Sequence, residues 1–324
     1  MKRPSILRST SLCAAAVAMV CLGTLGVLMP STAMASSSTN TVNSSWPTTL
    51  TMAGVGFSNS DALYASLAPI VALVKKQLDI TITMQNTTSY ASVIEAQEAG
   101  KVQIAEYGPF SYYIAVNQGV KLENIGIDLT APNTNGGYYS EAVINPKLTP
   151  DITSVKDFKG KKVCFSDPSS TSGYLYPTYG LLQVGINPST GVTPVFSGSD
   201  TATAVAVAKG ECQVGYTNNI NEEDAVATHL LNPKDIKIVW QSPEIPGSPD
   251  AVSMSVPASL RAALKTLFVN EANSTYLAKH GYCKSEAACT LIMGQWGFGS
   301  PAGWSTAPIK KVCQLTKSPA CTKA

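Results

Sequence analysis

A run of hydroxylated residues between a predicted strand and a predicted helix is the feature of this sequence best suited to chemistry. The last three members of the run, directly before Gly173, are Ser170, Thr171 and Ser172. The apolar run at residues 162–165 precedes them as a strand candidate, and residues 175–184 follow as a helix candidate. A helix N-terminus carries unpaired N–H groups and the positive end of the helix dipole. The pattern therefore predicts a socket for a tetrahedral oxyanion that needs no cation.

A helix cap is the simpler interpretation of the same residues. A single Ser or Thr side chain is enough to cap a helix. Three hydroxyl groups in succession exceed that need, and Gly173 directly after them would let a ligand approach the backbone closely. We therefore favour a ligand site over a pure cap.

A hydrolytic or metal site is disfavoured by the small number of suitable partners. A serine hydrolase needs a histidine and an acid beside its nucleophile. The chain has only two histidines, His229 and His280, and both fall in predicted helices. No CxxC spacing supports a metal centre. We predict neither catalytic residues nor a cofactor, and a hydrolase of unknown substrate stays as an alternative.

The N-terminus has the features of an export signal. Three cations precede the apolar run at residues 11–29, and an A-x-A motif ends at Ala35. We predict a signal peptide over residues 1–35, cleaved after Ala35. An uncleaved membrane anchor is one alternative. A lipid anchor on Cys21 is another, although Val20 stands where a lipoprotein signal has a small residue.

Charge and cysteine content describe an exported, nearly neutral domain. Removal of the signal lowers the formal net charge from +2 by three units to −1, so no nucleic-acid partner is predicted. Six cysteines remain, and an even number in an exported chain indicates disulfides. Six cysteines allow fifteen pairings. We favour Cys164–Cys212, Cys283–Cys289 and Cys313–Cys321. A secreted, disulfide-stabilised surface or adhesive module is therefore a further alternative.

Strands and helices alternate in two successive series, which predicts two α/β lobes with open, mostly parallel sheets. The late strand at residues 251–256 would return the chain to the first lobe and create a hinge of two crossings. Ligands bind such sheets at the carboxyl ends of their strands. The predicted division is a Ser/Thr-rich tether at 36–49, lobe 1 at 50–139 and 251–324, and lobe 2 at 140–250.

Several segments resemble the phosphate/phosphite/phosphonate-binding proteins of ABC importers. The matching segments are DPSSTSGYLYP at the hydroxyl-rich turn, GKVQIAEYGPFSYYIA, TTSYASVIEAQEAGKVQIAEYG, AVAVAKGECQVGYTNN and IVWQSPEIPGSPDAVSM. The resemblance extends from about Leu50 to Ala263. It implies a type II periplasmic-binding-protein-like fold and a solute-binding protein that has no enzymatic activity and delivers its ligand to an ABC permease. It further implies an exported monomer in the periplasm or cell envelope.

The resemblance also implies which residues bind the ligand. The family holds its phosphorus oxyanion with the Ser-Thr-Ser turn, here Ser170, Thr171 and Ser172. Two tyrosines of the first lobe also reach the ligand, and by position these are Tyr90 and Tyr107. Packing at the lobe surface is the alternative role for both tyrosines.

Departures from the family pattern predict a small ligand. Members that bind aminoalkylphosphonates surround the amine with a histidine and carboxylates, whereas this chain has Ser199 and Ser248 at such positions. A buried cationic tail without partners would be costly. Phosphate, phosphite or a short alkylphosphonate is therefore expected. Asp200 is expected to cap the next helix, or else to accept a hydrogen bond from a protonated ligand oxygen. Asn218 is expected to line the cleft or to form a turn.

Overall fold

The computed structural model describes residues 43–55, 60–87, 89–289 and 291–321. The predicted signal peptide, its cleavage site and Cys21 lie outside these residues. No helix within the described ranges combines the length and the apolar character needed to cross a membrane.

Eleven strands and nine helices can be delimited within the described residues. The strands are β1 Thr49–Gly54, β2 Thr81–Met84, β3 Ile104–Glu106, β4 Leu122–Leu129, β5 Ser140–Ile144, β6 Lys162–Phe165, β7 Thr193–Phe196, β8 Val214–Asn218, β9 Lys237–Gln241, β10 Pro249–Ser253 and β11 Gly297–Gly299. The helices are α1 Ser60–Leu78, α2 Tyr90–Glu98, α3 Pro109–Asn117, α4 Tyr176–Gln183, α5 Asp200–Ala208, α6 Asn219–Ala227, α7 Ala258–Asn270, α8 Ser274–Lys279 and α9 Ala307–Thr316. Short 3-10 or π-helical turns lie between them.

The strands form two separate sheets, which define the two lobes. The first sheet has the order β11-β4-β10-β3-β1-β2, and the second has the order β7-β6-β8-β5-β9. We call the first sheet with its helices the first lobe, and the second sheet with its helices the second lobe. The chain passes from the first sheet to the second between β4 and β5 and returns between β9 and β10. This confirms the predicted two-lobed α/β fold with two crossings.

Both sheets are mixed, because the strands that follow each crossing are reversed. In the first sheet, β10 runs antiparallel to β3 and β4, while β1 pairs in parallel with β2 and β3. In the second sheet, β5 runs antiparallel to β8 and β9, while β6 pairs in parallel with β7 and β8. A helical crossover makes successive strands parallel. The strands β5 and β10 instead arrive from the other lobe, which a count of alternating elements cannot reveal.

The two lobes share an apolar cluster where their surfaces meet. Leu175 and Tyr176 of the second lobe pack in this cluster with Phe110 and Ile114 of α3. Ile309 of α9 belongs to the same cluster, so the C-terminal helix packs against both α3 and α4. The lobes are thus in contact across the cleft.

The six cysteines form the three predicted disulfides. One disulfide joins Cys164 of β6 to Cys212, which lies two residues before β8, and the two Cα atoms are 5.8 Å apart. Cys283–Cys289 closes a short loop after α8, and Cys313–Cys321 fastens α9 to the residues that follow it. One disulfide therefore stabilises the second sheet, and the other two stabilise the C-terminal part of the chain.

Some predicted boundaries are wrong for local reasons. The helix predicted at 221–231 is α6 at Asn219–Ala227. It ends early because His229 adopts a left-handed backbone conformation with φ of 60°. Ordered packing also begins before residue 50: the indole N–H of Trp46 donates to Ser259 Oγ at 2.9 Å.

Candidate functional site

A cavity of about 60 Å³ lies between the lobes at the carboxyl ends of β3, β4, β6 and β8. This is the edge at which open α/β sheets bind ligands. Its polar lining side chains are those of Tyr90, Glu106, Asp128, Tyr138, Ser170, Thr171, Ser172, Asp200, Asn218, Asn221, Ser248 and Gln295. No lysine, arginine or histidine occurs among the described lining residues. An anion in this cavity would have to be held by neutral donors.

The hydroxyl-rich turn forms one wall of the cavity. After β6 ends at Phe165, Ser170 caps a π-helical turn, Thr171–Leu175, that continues into α4. Ser170 Oγ accepts the N–H of Gly173 at 3.0 Å, so its own hydroxyl proton can be donated either to the neighbouring Tyr90 hydroxyl or to a ligand. π-Helical turns inside helices are frequent at functional sites. Capping and ligand binding are therefore compatible roles for Ser170.

Thr171 connects this turn to the opposite lobe. Its Oγ1 accepts the backbone N–H of Phe110, in the first turn of α3, at 2.9 Å. The side chain is 2% exposed, so the bond is shielded from water. This bond uses only a lone pair of Oγ1, so the hydroxyl can also donate, either to its neighbour Tyr138 or to a ligand. Thr171 can therefore bind a ligand and join the two lobes at once.

Ser172 belongs to a buried network behind the cavity wall. Its hydroxyl donates to Asp200 Oδ2 at 2.6 Å, and Asn218 Nδ2 donates to the same oxygen at 2.6 Å. Burial raises the pKa of Asp200, while these hydrogen bonds and those with Ser166 and Asn221 lower it. Asp200 and Asn218 thereby fix the orientation of the turn that carries Ser170 and Thr171.

The structure corrects the expectation that Asp200 caps α5. Ser199 is the cap, because its Oγ accepts the N–H of Ala202 at 3.1 Å. Asp200 is the first helical residue and is buried against Ser172. Ser199 does not line the cavity, so its predicted place in the ligand shell is not supported by its position.

Two tyrosines line the cavity, and only one of them was predicted. Tyr90, the first residue of α2, lines it as expected. Tyr138, just before β5, lines it without having been predicted. Burial raises the pKa of both hydroxyl groups, so both stay protonated donors. The GG dipeptide at residues 136–137, directly before Tyr138 at the first crossing between lobes, is a sequence signal that could have indicated a bend near the cleft.

Tyr107 does not reach the cavity. Its ring is completely buried and its hydroxyl donates to Gln97 Oε1 at 2.7 Å inside the first lobe. A residue directly after a strand can face either side of the sheet edge, and here the buried amide of Gln97 determines the orientation. Tyr107 therefore packs beneath the site.

The structure does not support the prediction that Gly173 leaves room for a ligand. A Cβ atom at this position would collide with Ser166 Oγ and would lie 2.5 Å from Asp200 Oδ1. The close approach that glycine allows is therefore to the second lobe's own side chains. Gly173 is needed for packing of the turn on Asp200.

The last two predicted positions differ in their surroundings. Ser248 lines the cavity, and its backbone oxygen accepts the N–H of Asp128 at 2.9 Å. Asn218 lines the cavity and caps α6 by accepting the N–H of Asn221 at 2.9 Å. Its neighbour Asn219 instead accepts the N–H of Tyr139 at 2.8 Å and supports the crossing segment.

Carboxyl groups of the first lobe form the opposite wall, and sequence reasoning did not find them. Glu106 ends β3, and Asp128 lies one residue before the end of β4. Asp250 of β10 stands directly beside Glu106 in the sheet and does not touch the cavity. Burial raises the pKa of all three, that of Asp128 to about 7. Their position at predicted strand ends was the available signal.

No metal centre is evident in the described part of the chain, where no group of three or more His, Cys, Asp or Glu residues has suitable geometry. The site thus consists of hydroxyl donors on one side and buried carboxyl groups on the other. Such a site offers hydrogen bonds, and no cationic side chain of the described lining residues, to whatever occupies it.

Comparisons with known proteins agree with this geometry. A family model described as "ABC transporter, phosphonate, periplasmic substrate-binding protein" matches residues 53–288. The phosphate-import protein PhnD of Mycolicibacterium smegmatis is 31% identical over 290 residues, which cover 87% of this chain and 90% of that protein. The phosphonates-binding periplasmic protein of Escherichia coli is 28% identical and covers 75% of this chain and 70% of its own length.

Solved structures show the same fold. The binding-protein component of a Pseudomonas aeruginosa ABC phosphonate transporter superposes with a TM-score of 0.71 at 21% identity, covering 83% of this chain and 86% of that one. A Prochlorococcus marinus protein in complex with methylphosphonate also has a TM-score of 0.71, at 19% identity, and covers 84% and 99% of the two chains.

Proposed function

Because the chain belongs to the family of periplasmic substrate-binding proteins of phosphonate ABC transporters, we propose that it binds phosphate, phosphite or a short alkylphosphonate between its lobes. The family's role is binding and delivery, not catalysis, so the hydrolase and surface-module alternatives are not favoured. The observation that carries the choice of ligand is the small interlobe cavity lined by neutral hydroxyl donors without a cation.

The cavity volume supports a compact ligand. A buried water molecule needs roughly 10–15 Å³ of such space. The cavity of about 60 Å³ therefore holds about as many atoms as one tetrahedral ion. An aminoethyl tail would exceed this volume unless the lobes moved apart.

Four side chains form the proposed donor set. The hydroxyl groups of Ser170 and Thr171 are hydrogen-bonded to those of Tyr90 and Tyr138, and both tyrosines stay protonated, so each pair can turn a proton towards a ligand. Ser172 contributes through its place in the turn, because its hydroxyl proton is directed to Asp200. Backbone N–H groups at the start of the helix add to this set.

The relatives' names favour phosphate among these ligands. The M. smegmatis relative is named as a phosphate importer, and one structural neighbour was solved with methylphosphonate. Both ligands are tetrahedral, with five heavy atoms each. We propose that the exported, mature chain acts as a monomer that closes on its ligand and presents it to an ABC permease.

Isothermal titration calorimetry of residues 36–324 tests the proposal. The ligands are phosphate, phosphite, methylphosphonate and 2-aminoethylphosphonate. Micromolar or tighter binding of one of the first three is expected. Heat from none of the four would refute a phosphorus oxyanion as the ligand, and preference for the aminoethyl compound would show that the cavity opens for a cationic tail.

A further inference from the structure

The last part of the chain connects the two lobes in addition to the two crossings. It begins after β11 of the first sheet, and we call residues 300–321 the C-terminal arm. The arm contains Trp304, α9 and the disulfide Cys313–Cys321. Within the described residues it adds no strand to either sheet. Its role must therefore follow from the surfaces that it contacts.

The arm lies against both crossings. Residues 303–305 line a cavity of about 320 Å³ together with Asn135 of the first crossing and Glu244 of the second. These two residues also join the crossings to each other, because Asn135 Nδ2 donates to Glu244 Oε1 at 2.7 Å. The start of the arm is thus placed at the hinge.

Trp304 fastens the arm to this hinge. Its indole N–H donates to the backbone oxygen of Gly247, in the second crossing, at 2.9 Å. Its ring packs edge-on against that of Tyr112 in α3, with the ring centroids 5.3 Å apart. Gly247 directly precedes Ser248, which lines the interlobe cavity. Trp304 therefore holds the hinge backbone next to a residue of the cavity wall.

The helix of the arm contacts both lobes. It packs against α3 of the first lobe and α4 of the second, and against the π-helical turn that carries Thr171. Ile309 is completely buried in the apolar cluster that also contains Phe110 of α3 and Tyr176 of α4. Separation of α3 from α4 would expose part of this apolar surface to water, which is unfavourable. The helix therefore favours the closed arrangement.

A disulfide holds the end of the arm in the same place. Cys313 of α9 is bonded to Cys321, and both pack in the apolar cluster shared by the lobes. Residues 318–320 line a cavity of about 420 Å³ together with Pro168 and Ser169 of the second lobe. The end of the arm thus lies beside the loop that leads into the hydroxyl-rich turn.

We propose that the C-terminal arm is a strap that holds the lobes closed, and that Trp304 and Ile309 are positioning residues for ligand binding. The arm follows β11 and stays on the first lobe, so its contacts with α4 and the π-helical turn form on closure and break on opening. Release of a ligand has to break these contacts as well as the ligand's own hydrogen bonds. Only this effect on the ligand rests on the proposed function, because the strap also acts on the ligand-free protein.

Small-angle X-ray scattering of ligand-free residues 36–324 tests the strap without a ligand. Ile309→Ala truncates the side chain that is buried with α3 and α4, and Trp304→Phe removes the hydrogen bond to Gly247 while keeping an aromatic ring. Both variants should have a larger radius of gyration than the unmodified protein, because they shift the population towards the open state.

Two matched variants control for a general loss of stability. Leu264→Ala truncates an equally buried side chain of α7 inside the first lobe. Trp46→Phe removes an indole N–H that donates to Ser259 Oγ at 2.9 Å, also inside the first lobe. Neither control touches the second lobe, so both should keep the radius of gyration of the unmodified protein.

Dissociation of radiolabelled phosphate measures the effect on the bound state. Excess unlabelled phosphate chases the label, and equilibrium dialysis gives the Kd, from which the association rate follows. We expect dissociation about tenfold faster in Ile309→Ala and Trp304→Phe than in the two controls. The association rate should stay the same, because the strap acts after the ligand has entered the open cleft.

The possible outcomes separate the roles. An unchanged radius of gyration and dissociation rate in both arm variants would overturn the strap, and so would equal changes in the arm variants and their controls. Failure of the unmodified chain to bind phosphate would count against the proposed function, and scattering would still decide the strap. Should Ile309→Ala fail to fold, Trp304→Phe and paired replacement of Cys313 and Cys321 by serine allow the same comparison.

Discussion

Replacement of Thr171 by alanine should weaken ligand binding more than any other single loss of a hydroxyl in the turn. Thr171 Oγ1 accepts the N–H of Phe110 from the opposite lobe at 2.9 Å. In the alanine variant this N–H would stay unpaired in the closed protein, at a cost of about 1–3 kcal/mol. In an open protein the same N–H would be hydrated. This cost therefore makes closure of the lobes less favourable, and it lowers the affinity for the ligand.

The loss of the ligand bond adds to this effect. A ligand oxygen without its donor costs about another 1–3 kcal/mol, so Thr171→Ala should weaken binding by about 2–6 kcal/mol in total. Ser170→Ala should weaken it by about 1–3 kcal/mol, because it removes a ligand donor but leaves no backbone N–H of the opposite lobe unpaired. Ser170 Oγ accepts from Gly173 of its own turn, and its other partner is the side chain of Tyr90. Thr171→Ser keeps the hydroxyl group and loses one buried methyl group, worth about 0.8 kcal/mol.

Calorimetry with the tightest-binding phosphorus ligand measures the affinity of each variant. Small-angle X-ray scattering of each ligand-free variant measures how far its lobes are closed. We expect affinities to fall in the order Thr171→Ser, Ser170→Ala, Thr171→Ala, and the free alanine variant at position 171 to be more extended than the unmodified protein. Equal losses in the Ser170 and Thr171 alanine variants would refute the coupling of this interlobe bond to binding.

Three further predictions concern stability and packing. Gly173→Ala should abolish measurable binding in calorimetry, because its Cβ would collide with Ser166 and press on Asp200; retained affinity would show that the turn can shift without harm. Burial raises the pKa of Asp128 to about 7, so the folded state keeps protons that the unfolded state releases above its ordinary pKa of about 3.9. The melting temperature of the ligand-free protein should therefore fall as pH rises from about 4 to 7, and less steeply in Asp128→Asn; identical slopes would contradict this. Paired replacement of Cys164 and Cys212 by serine should lower the free energy of unfolding by about 4 kcal/mol, against about 2 kcal/mol for Cys283 and Cys289, because the sequence separations are 48 and 6 residues. Urea titration measures both, and the reverse order would refute the loop-length argument.

The sequence predicted those parts of the site that depend on local structure. The strand, the hydroxyl-rich turn and the helix after it are contiguous, so Ser170 and Thr171 could be assigned to a helix N-terminus at a sheet edge without knowing the sheet order. The return of the chain at β10 was likewise visible as an alternating run after a second βα series. Both predictions need only short-range periodicity.

The other side of the cavity depends on long-range pairing. Glu106 and Asp128 share a wall because β10 inserts between β3 and β4 and runs against both. Tyr138 reaches the cavity because the first crossing bends there. Tyr107 was misplaced for the same reason, since the side of the sheet edge that it faces is fixed by its contact with Gln97 and not by its neighbours in sequence.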